Sequence, residues 1–599
     1  MNLSVYLTSL PIWENAADLW KRYRRPFLIL YVYSLIIYLP MLVLRLTNHI
    51  DGLWNQDDYL AGVWELSIGR WFWPWLDRLR FGNSLDPMPG ILSLAIYVAA
   101  FLVILSILQV EISWLSYLAG FLFLSNTAIT CQMSHGYMVI TFSLSTLLSV
   151  LAVRVLARRG GRKTWRNILL SAVLIAVMLG CYQAEIGITC LVALFHFLMT
   201  LAGYGKKRKT GSNPSSSLSP VREAFSFAGR MLAALVLGAL LYEILLQIHL
   251  KAFDVEMNSY QAFSEISPVY FIAHLPEGIG HAYRMMKTCF LDSAFQFNAL
   301  QTKVWFPILY VIPAAALIFA ALAAFRRSRA GGLWYLAGAV LIPVFAGSFY
   351  LLAPEAETHM QMLSSYFLII PLLLCQYQWI ELPIGRCGRN AAKGRISEAG
   401  ADYTKDDAGD ENAAAVWPAD REESRLGDSD RKRGRAGMAG RNVFGAVFLA
   451  EAILLVWGSI GMTLTDQYAM YAGRTASATI AEDILSRAEG LGQDFLNGQI
   501  LILGTPAQSA VFSVGDLYYD ANSYAQYGNW SENVGYGRLS WSALYDNYLR
   551  VNVTFSTGDT ESTIVALPEV EAMPVYPASG SIQNIYGVTV VKIGDIYNY

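Results

Sequence analysis

Long apolar stretches separated by short polar ones dominate this chain. A helix needs about 20 mostly apolar residues to cross a ~30 Å hydrocarbon core. Runs of that kind recur near 26–45, 91–110, 113–132, 136–154, 167–184, 186–203, 231–250, 304–325, 333–353, 360–380 and 442–464. They are too long for strands, and irregular backbone cannot face lipid. The pattern therefore predicts an α-helical polytopic membrane protein with about eleven transmembrane helices. Three long polar segments, 46–90, 251–303 and 465–599, interrupt it. A fourth, 381–441, is rich in Ala, Gly, Asp, Glu and Arg and lacks apolar periodicity, so it is expected to stay disordered.

Composition sharpens this picture. Of 599 residues, 55% are hydrophobic and only 15% charged, whereas soluble chains carry roughly 25% charged residues. A soluble globular enzyme and a disordered protein are both excluded. The formal charge of −2 gives no argument for nucleic-acid binding on its own. Six cysteines without a Cys-x-x-Cys pair and seven histidines without paired spacing argue against a disulfide framework and a structural zinc site.

Charge also orients the spans, because Lys and Arg near span ends favour the cytoplasm. The basic clusters are Lys21 to Arg25, Arg154 to Arg166, Lys206 to Lys209, Arg326 to Arg329 and Arg386 to Arg441. With eleven spans and a cytoplasmic N-terminus, every cluster falls inside. Segments 46–90 and 251–303 and the tail then face outward, in a multi-pass protein of the plasma membrane. Residues 1–464 form the transmembrane domain and 465–599 a small extracytoplasmic α+β domain. That tail carries five basic against fourteen acidic residues. It reads as a helix at 470–490 followed by strand-like runs at Ile500–Leu503, Val551–Phe555, Thr563–Ala566 and Val588–Val591.

Candidate chemistry gathers in the outward loops. In 46–90 the paired Asp57 and Asp58 precede apolar residues at 60, 63, 64, 68 and 71, a helical spacing. A short helix lying flat on the membrane and starting at the pair fits. One aspartate then caps the helix while the other serves as general base for an acceptor hydroxyl, with Asp57 favoured as base and Asp58 as cap. Arg70 either holds a phosphate in its rigid fork of donors or pairs with Glu65. His135 and Tyr137 in one turn, and Tyr182, Gln183 and Glu185 in another, supply the stacking faces and polar groups a sugar needs, or are ordinary turn residues. Arg284 and Lys287 in the second loop can neutralise an anionic donor or touch lipid phosphates. Glu243 is an acid among leucines in a span, and such residues are functional candidates by default.

These residues have a family likeness. The Asp57-Asp58 pair, the Gly69-Arg70 step and Asp86-Pro87…Pro89 resemble the GtrII-type glucosyltransferase family. Leu179-Gly180-Cys181-Tyr182-Gln183-Ala184 is similar to that family's Gly-x-Tyr-Gln-Ala turn. The ending Val575-Tyr576-Pro577…Gly580-Ser581-Ile582…Val590-Val591-Lys592 is similar to tails of its Gram-positive bacterial versions. The turn at His135 departs from the family in lacking a carboxylate. The resemblance implies a membrane-embedded, GT-C-like glycosyltransferase that takes a hexose, glucose by the family name, from a polyprenyl-phosphate carrier to a cell-surface glycan. Its partners would be membrane lipid, the polyprenyl-phosphate-linked sugar and the glycan acceptor, with no nucleic acid. The leaving phosphate is already a stable anion and needs only charge stabilisation. No metal or other cofactor is therefore required, although a divalent ion would be compatible. Two rival classes are a flippase for a lipid-linked glycan and a non-catalytic scaffold that binds a wall polymer.

Overall fold

The computed structural model describes residues 11–47, 51–84, 86–157, 164–203, 219–258, 268–291, 311–356, 359–377, 427–490, 498–504 and 541–594. Apart from the tail these are almost entirely helical. Among the described residues six helices are long and apolar enough to cross a membrane: Met88–Ile107, Val139–Ala157, Thr164–Cys181, Gln183–Leu201, Pro220–Phe253 and Val447–Gly490. Trp114–Leu124 and Thr127–Ser134 make a seventh if a pair bent by 44° counts as one span. The bend has a local cause. Asn126 caps the second piece by accepting from Ile129 N at 3.0 Å, so the chain restarts its helix there.

The described residues do not show eleven unbroken spans, in part because several apolar runs are broken helices. The first run lies across Pro11–Ile37 and Leu39–Leu44, interrupted at Tyr38 just before Pro40. The run 333–353 is split into Arg329–Val340, Ile342–Ala346 and Ser348–Leu352, with Pro343 opening the middle piece and Gly347 closing it. Proline removes a ladder N–H and clashes with the preceding turn, so apolar length alone overstates the straight helix. The start of the run at 304–325 lies outside the described residues.

Helix Pro220–Phe253 shows how these elements meet their surroundings. Leu232, Val236, Leu240, Ile244 and Ile248, spaced by four, form one exposed apolar stripe. Its other side packs on Thr164–Cys181, where Gly238 lets Ile175 approach closely. A helix apolar on its open face suits lipid rather than water.

Residues 427–490 form one continuous helix. This corrects two expectations: 427–441 is helical rather than disordered, and the last span runs unbroken into the helix expected at 470–490. The rest of 381–441 lies outside the described residues. Beyond this helix, β1 (Gln499–Leu503), β2 (Ile582–Ile585) and β3 (Val588–Lys592) form a sheet ordered β1-β3-β2. β1 runs parallel to β3, and β2 is antiparallel to β3. The α+β character holds, but the run at Thr563–Ala566 is mostly the end of helix Asp559–Val565. Val551–Phe555 contributes a single bridge, from Phe555 to Ile500.

The tail is anchored on loop 46–90. Leu53 is buried in the tail's core with Ile480, Ile484, Leu544 and Tyr545, a burial that contributes roughly 1.5–3 kcal/mol. Asn547 Nδ2 donates to Leu53 O at 2.9 Å and to Trp54 O at 2.8 Å. Arg474 Nη1 donates to Arg45 O at 2.9 Å.

Candidate functional site

The loop 51–84 folds around an ion pair between buried Asp77 and half-buried Arg80. Asp77 Oδ1 accepts from Arg80 Nε at 2.9 Å, and Oδ2 accepts from Ala61 N at 2.9 Å. Arg80 Nη2 also donates to Tyr137 O at 2.7 Å and Tyr59 O at 3.2 Å, tying the loop to the turn after Thr127–Ser134. Burial pushes the Asp77 carboxyl up, and its bonds to Arg80 and Ala61 oppose that shift. Neither residue stands out in the sequence, where both look like surface charges of a polar loop.

The paired aspartates do not cap a helix. The helix begins at Val63 with Gly62 at the N-cap, and Glu65 Oε2 accepts from Gly62 N at 2.6 Å. The other Glu65 oxygen accepts from the Tyr59 hydroxyl. Glu65 is thus engaged with Gly62 and Tyr59, and Arg70 meets it only through backbone, Arg70 N to Glu65 O at 2.8 Å. Asp57 forms a two-pronged pair with Arg550 of the tail, one prong at 2.8 Å. Asp58 is exposed, and its backbone bridges to Asn83.

Arg70 enters a circuit of aromatic rings. Its guanidinium lies 5.0 Å from the Tyr182 ring and 5.7 Å from the Trp73 ring. From Trp73 the contacts pass to Tyr59 at 5.7 Å, Tyr137 at 4.6 Å and His135 at 6.3 Å. They return through Phe142 at 6.0 Å to Tyr182 at 4.7 Å. Arg70 Nε is buried and has no hydrogen-bond partner among the described residues. A cation stacked on rings with an unspent donor is arranged to receive an anion. Four sequence candidates, Arg70, His135, Tyr137 and Tyr182, come together here. Tyr59, Trp73 and Phe142 were missed as site residues, although Tyr59 and Trp73 flank Arg70 closely in the chain.

Gln183 stands behind the arginine turn, donating to Ile68 O at 2.9 Å. Glu185 is turned into the helix interior. Its Oε1 accepts from Gln132 Nε2 at 3.0 Å and Ser364 Oγ at 2.9 Å, linking three segments. Arg284 and Lys287 are exposed on helix Pro268–Leu291, and no described contact joins them to the circuit. Glu243 is exposed and accepts from Gln247 Nε2 at 2.9 Å, one turn along its own helix.

Asp86 sits behind the His135–Tyr137 turn, its carboxylate so close to Gly136 that a Cβ there would lie 3.3 Å from Oδ1. Burial raises its carboxyl from 3.8 to about 6, against the opposing charges of Arg45 and Arg80. A carboxyl raised on folding stabilises the fold below its unfolded value and loses that contribution as pH rises through about 6. Asp86→Asn, neutral at every pH, should therefore be more stable than the parent by roughly 1–3 kcal/mol at pH 7.5. The difference should vanish near pH 4. Thermal denaturation of both proteins in detergent at the two pH values measures it, and a gap that widens on acidification would contradict this sign.

Comparison with known proteins now defines the class. Residues 27–374 match the family described as glucosyl transferase GtrII, more than half of the chain, so the protein is a glycosyltransferase. It belongs to the GtrII glucosyltransferase family, and its long apolar helices fit a membrane protein. Searches among curated proteins and among solved structures return no significant match.

Proposed function

We propose that this protein transfers a hexose, glucose by its family, from a polyprenyl-phosphate carrier to a surface glycan at the outer face of the membrane. The observation that carries this reading is the Arg70 guanidinium, held between Tyr182 and Trp73 with an unpartnered buried donor. Arg70 binds the lipid phosphate and stabilises it as it leaves. The rings of Tyr59, Tyr137 and His135 flank the sugar. As the bond from the anomeric carbon to the phosphate breaks, the acceptor hydroxyl attacks that carbon and gives its proton to a carboxylate. Asp58 is that carboxylate, because Asp57 is committed to Arg550 and Asp58 is exposed next to Tyr59. Arg284 and Lys287 contact lipid headgroups. Purified protein should transfer label from polyprenyl-phosphate-glucose and not from a nucleotide-glucose. Transfer from the nucleotide sugar alone would reject the donor assignment.

The proposed topology has eleven membrane passages, broken helices included, with the N-terminus inside and the tail outside. It follows from the one-sided distribution of basic clusters. A cysteine at Thr557 should react with an impermeant maleimide on intact cells, and one at Ala408 should react only after lysis. The opposite labelling would invert the map.

A further inference from the structure

The sequence draws attention to Glu243, but its neighbour faces the site. Consecutive residues of a helix point about 100° apart; Glu243 is exposed, whereas Tyr242 is half-buried and its hydroxyl reaches the loop of Arg70. Tyr242 Oη donates to Gly69 O at 3.0 Å, and Gln183 Nε2 lies 3.4 Å from the same hydroxyl. Gly69 has φ +84°, a conformation L side chains rarely adopt, and a Cβ there would crowd Tyr242 Oη and Gln183 Nε2. The next residue but one is also seated: Trp71 packs against Gly180, where a Cβ would meet its ring at 2.6 Å. Phe72 N donates to Gly180 O at 3.0 Å. Arg70 thus leaves a turn gripped on one side by Tyr242 and Gln183 and on the other by Trp71.

We infer that Tyr242, from helix Pro220–Phe253, is a positioning residue for the glucosyl donor: its hydroxyl fixes the Gly69 carbonyl and thereby aims the Arg70 guanidinium at the donor phosphate. The inference rests on the reading of Arg70 as the phosphate-binding group. Tyr242 touches neither donor nor acceptor. It acts by restricting the backbone one residue before the arginine, so its loss loosens a binding geometry rather than removing a charge.

The test is steady-state transfer with polyprenyl-phosphate-glucose, varying donor and acceptor separately, for Tyr242→Phe, Gln183→Leu, their double variant and Arg70→Ala. Losing one neutral hydrogen bond at the turn should raise the donor KM about three- to tenfold. The acceptor KM and the thermal midpoint should be unchanged. Gln183→Leu should move the donor KM the same way, and the double variant should fall short of the product of the two, since both grip one turn. Should Tyr242→Phe not accumulate, Gln183→Leu alone carries the measurement. A raised donor KM in Arg70→Ala with an unchanged one in Tyr242→Phe overturns this inference and leaves the phosphate reading standing. An unchanged donor KM in Arg70→Ala overturns the phosphate reading itself, and the inference with it. Equal shifts in donor and acceptor KM, or a loss of stability without a kinetic split, make Tyr242 merely structural and also overturn it.

Discussion

Asp58→Asn should lower turnover by about 10²–10⁴ at equal protein level, whereas Asp57→Asn should stay within about fivefold of the parent. Asparagine keeps the shape and most of the hydrogen bonding of aspartate but cannot accept the proton of the acceptor hydroxyl. The two side chains are adjacent in sequence, yet their surroundings differ. Asp57 is paired with Arg550, at side-chain exposures of 32% and 60%. An ion pair so open to water contributes about 0–1 kcal/mol, and the tail stays anchored through Leu53 and Asn547. Turnover of both variants with saturating donor and acceptor measures the contrast. If Asp57→Asn is the inactive one, the ion pair does not exclude Asp57 from catalysis and the two roles exchange. If both variants work at the parental rate, the base lies elsewhere.

Arg70→Ala should raise the donor concentration needed for half-maximal transfer by about ten- to hundredfold, with acceptor dependence unchanged. The scale is that of one charge-assisted contact to the phosphate. Arg70→Lys should recover only part of the loss. An ammonium keeps the charge but lacks the flat guanidinium that lies against Tyr182 and Trp73. Titration of the polyprenyl-phosphate donor against both variants checks this. An unchanged donor dependence in Arg70→Ala would remove Arg70 from the site.

What the sequence disclosed and what it hid follow from the range of the interactions involved. Apolar run length is a local property, and it located the long helices and the turns between them. Those turns hold His135, Tyr137 and Tyr182, so three members of the ring circuit were legible beside Arg70. The helix start after Asp58 was misread because two adjacent acids look like a cap. The actual cap depends on Glu65 reaching back to Gly62, a competing local pattern that won. Asp57's partner lies 493 positions away in the chain, beyond any periodicity. Glu243 stands out in the sequence as a charge among leucines, while nothing in the sequence marks Tyr242 beside it; only the helix's orientation separates them. The helix breaks at Tyr38 and Pro343 are invisible to run length because hydropathy averages across a proline that the backbone cannot ignore.

The claim that a lipid-linked sugar is consumed on the outer face is tested most directly in sealed, right-side-out membrane vesicles. They would be supplied from outside with radiolabelled polyprenyl-phosphate-glucose and acceptor glycan, and no nucleotide sugar. The account predicts label on the external glycan that depends on this protein and is lost with Asp58→Asn. Label that appears only after the vesicles are opened, or only when a nucleotide sugar is supplied inside, would contradict it.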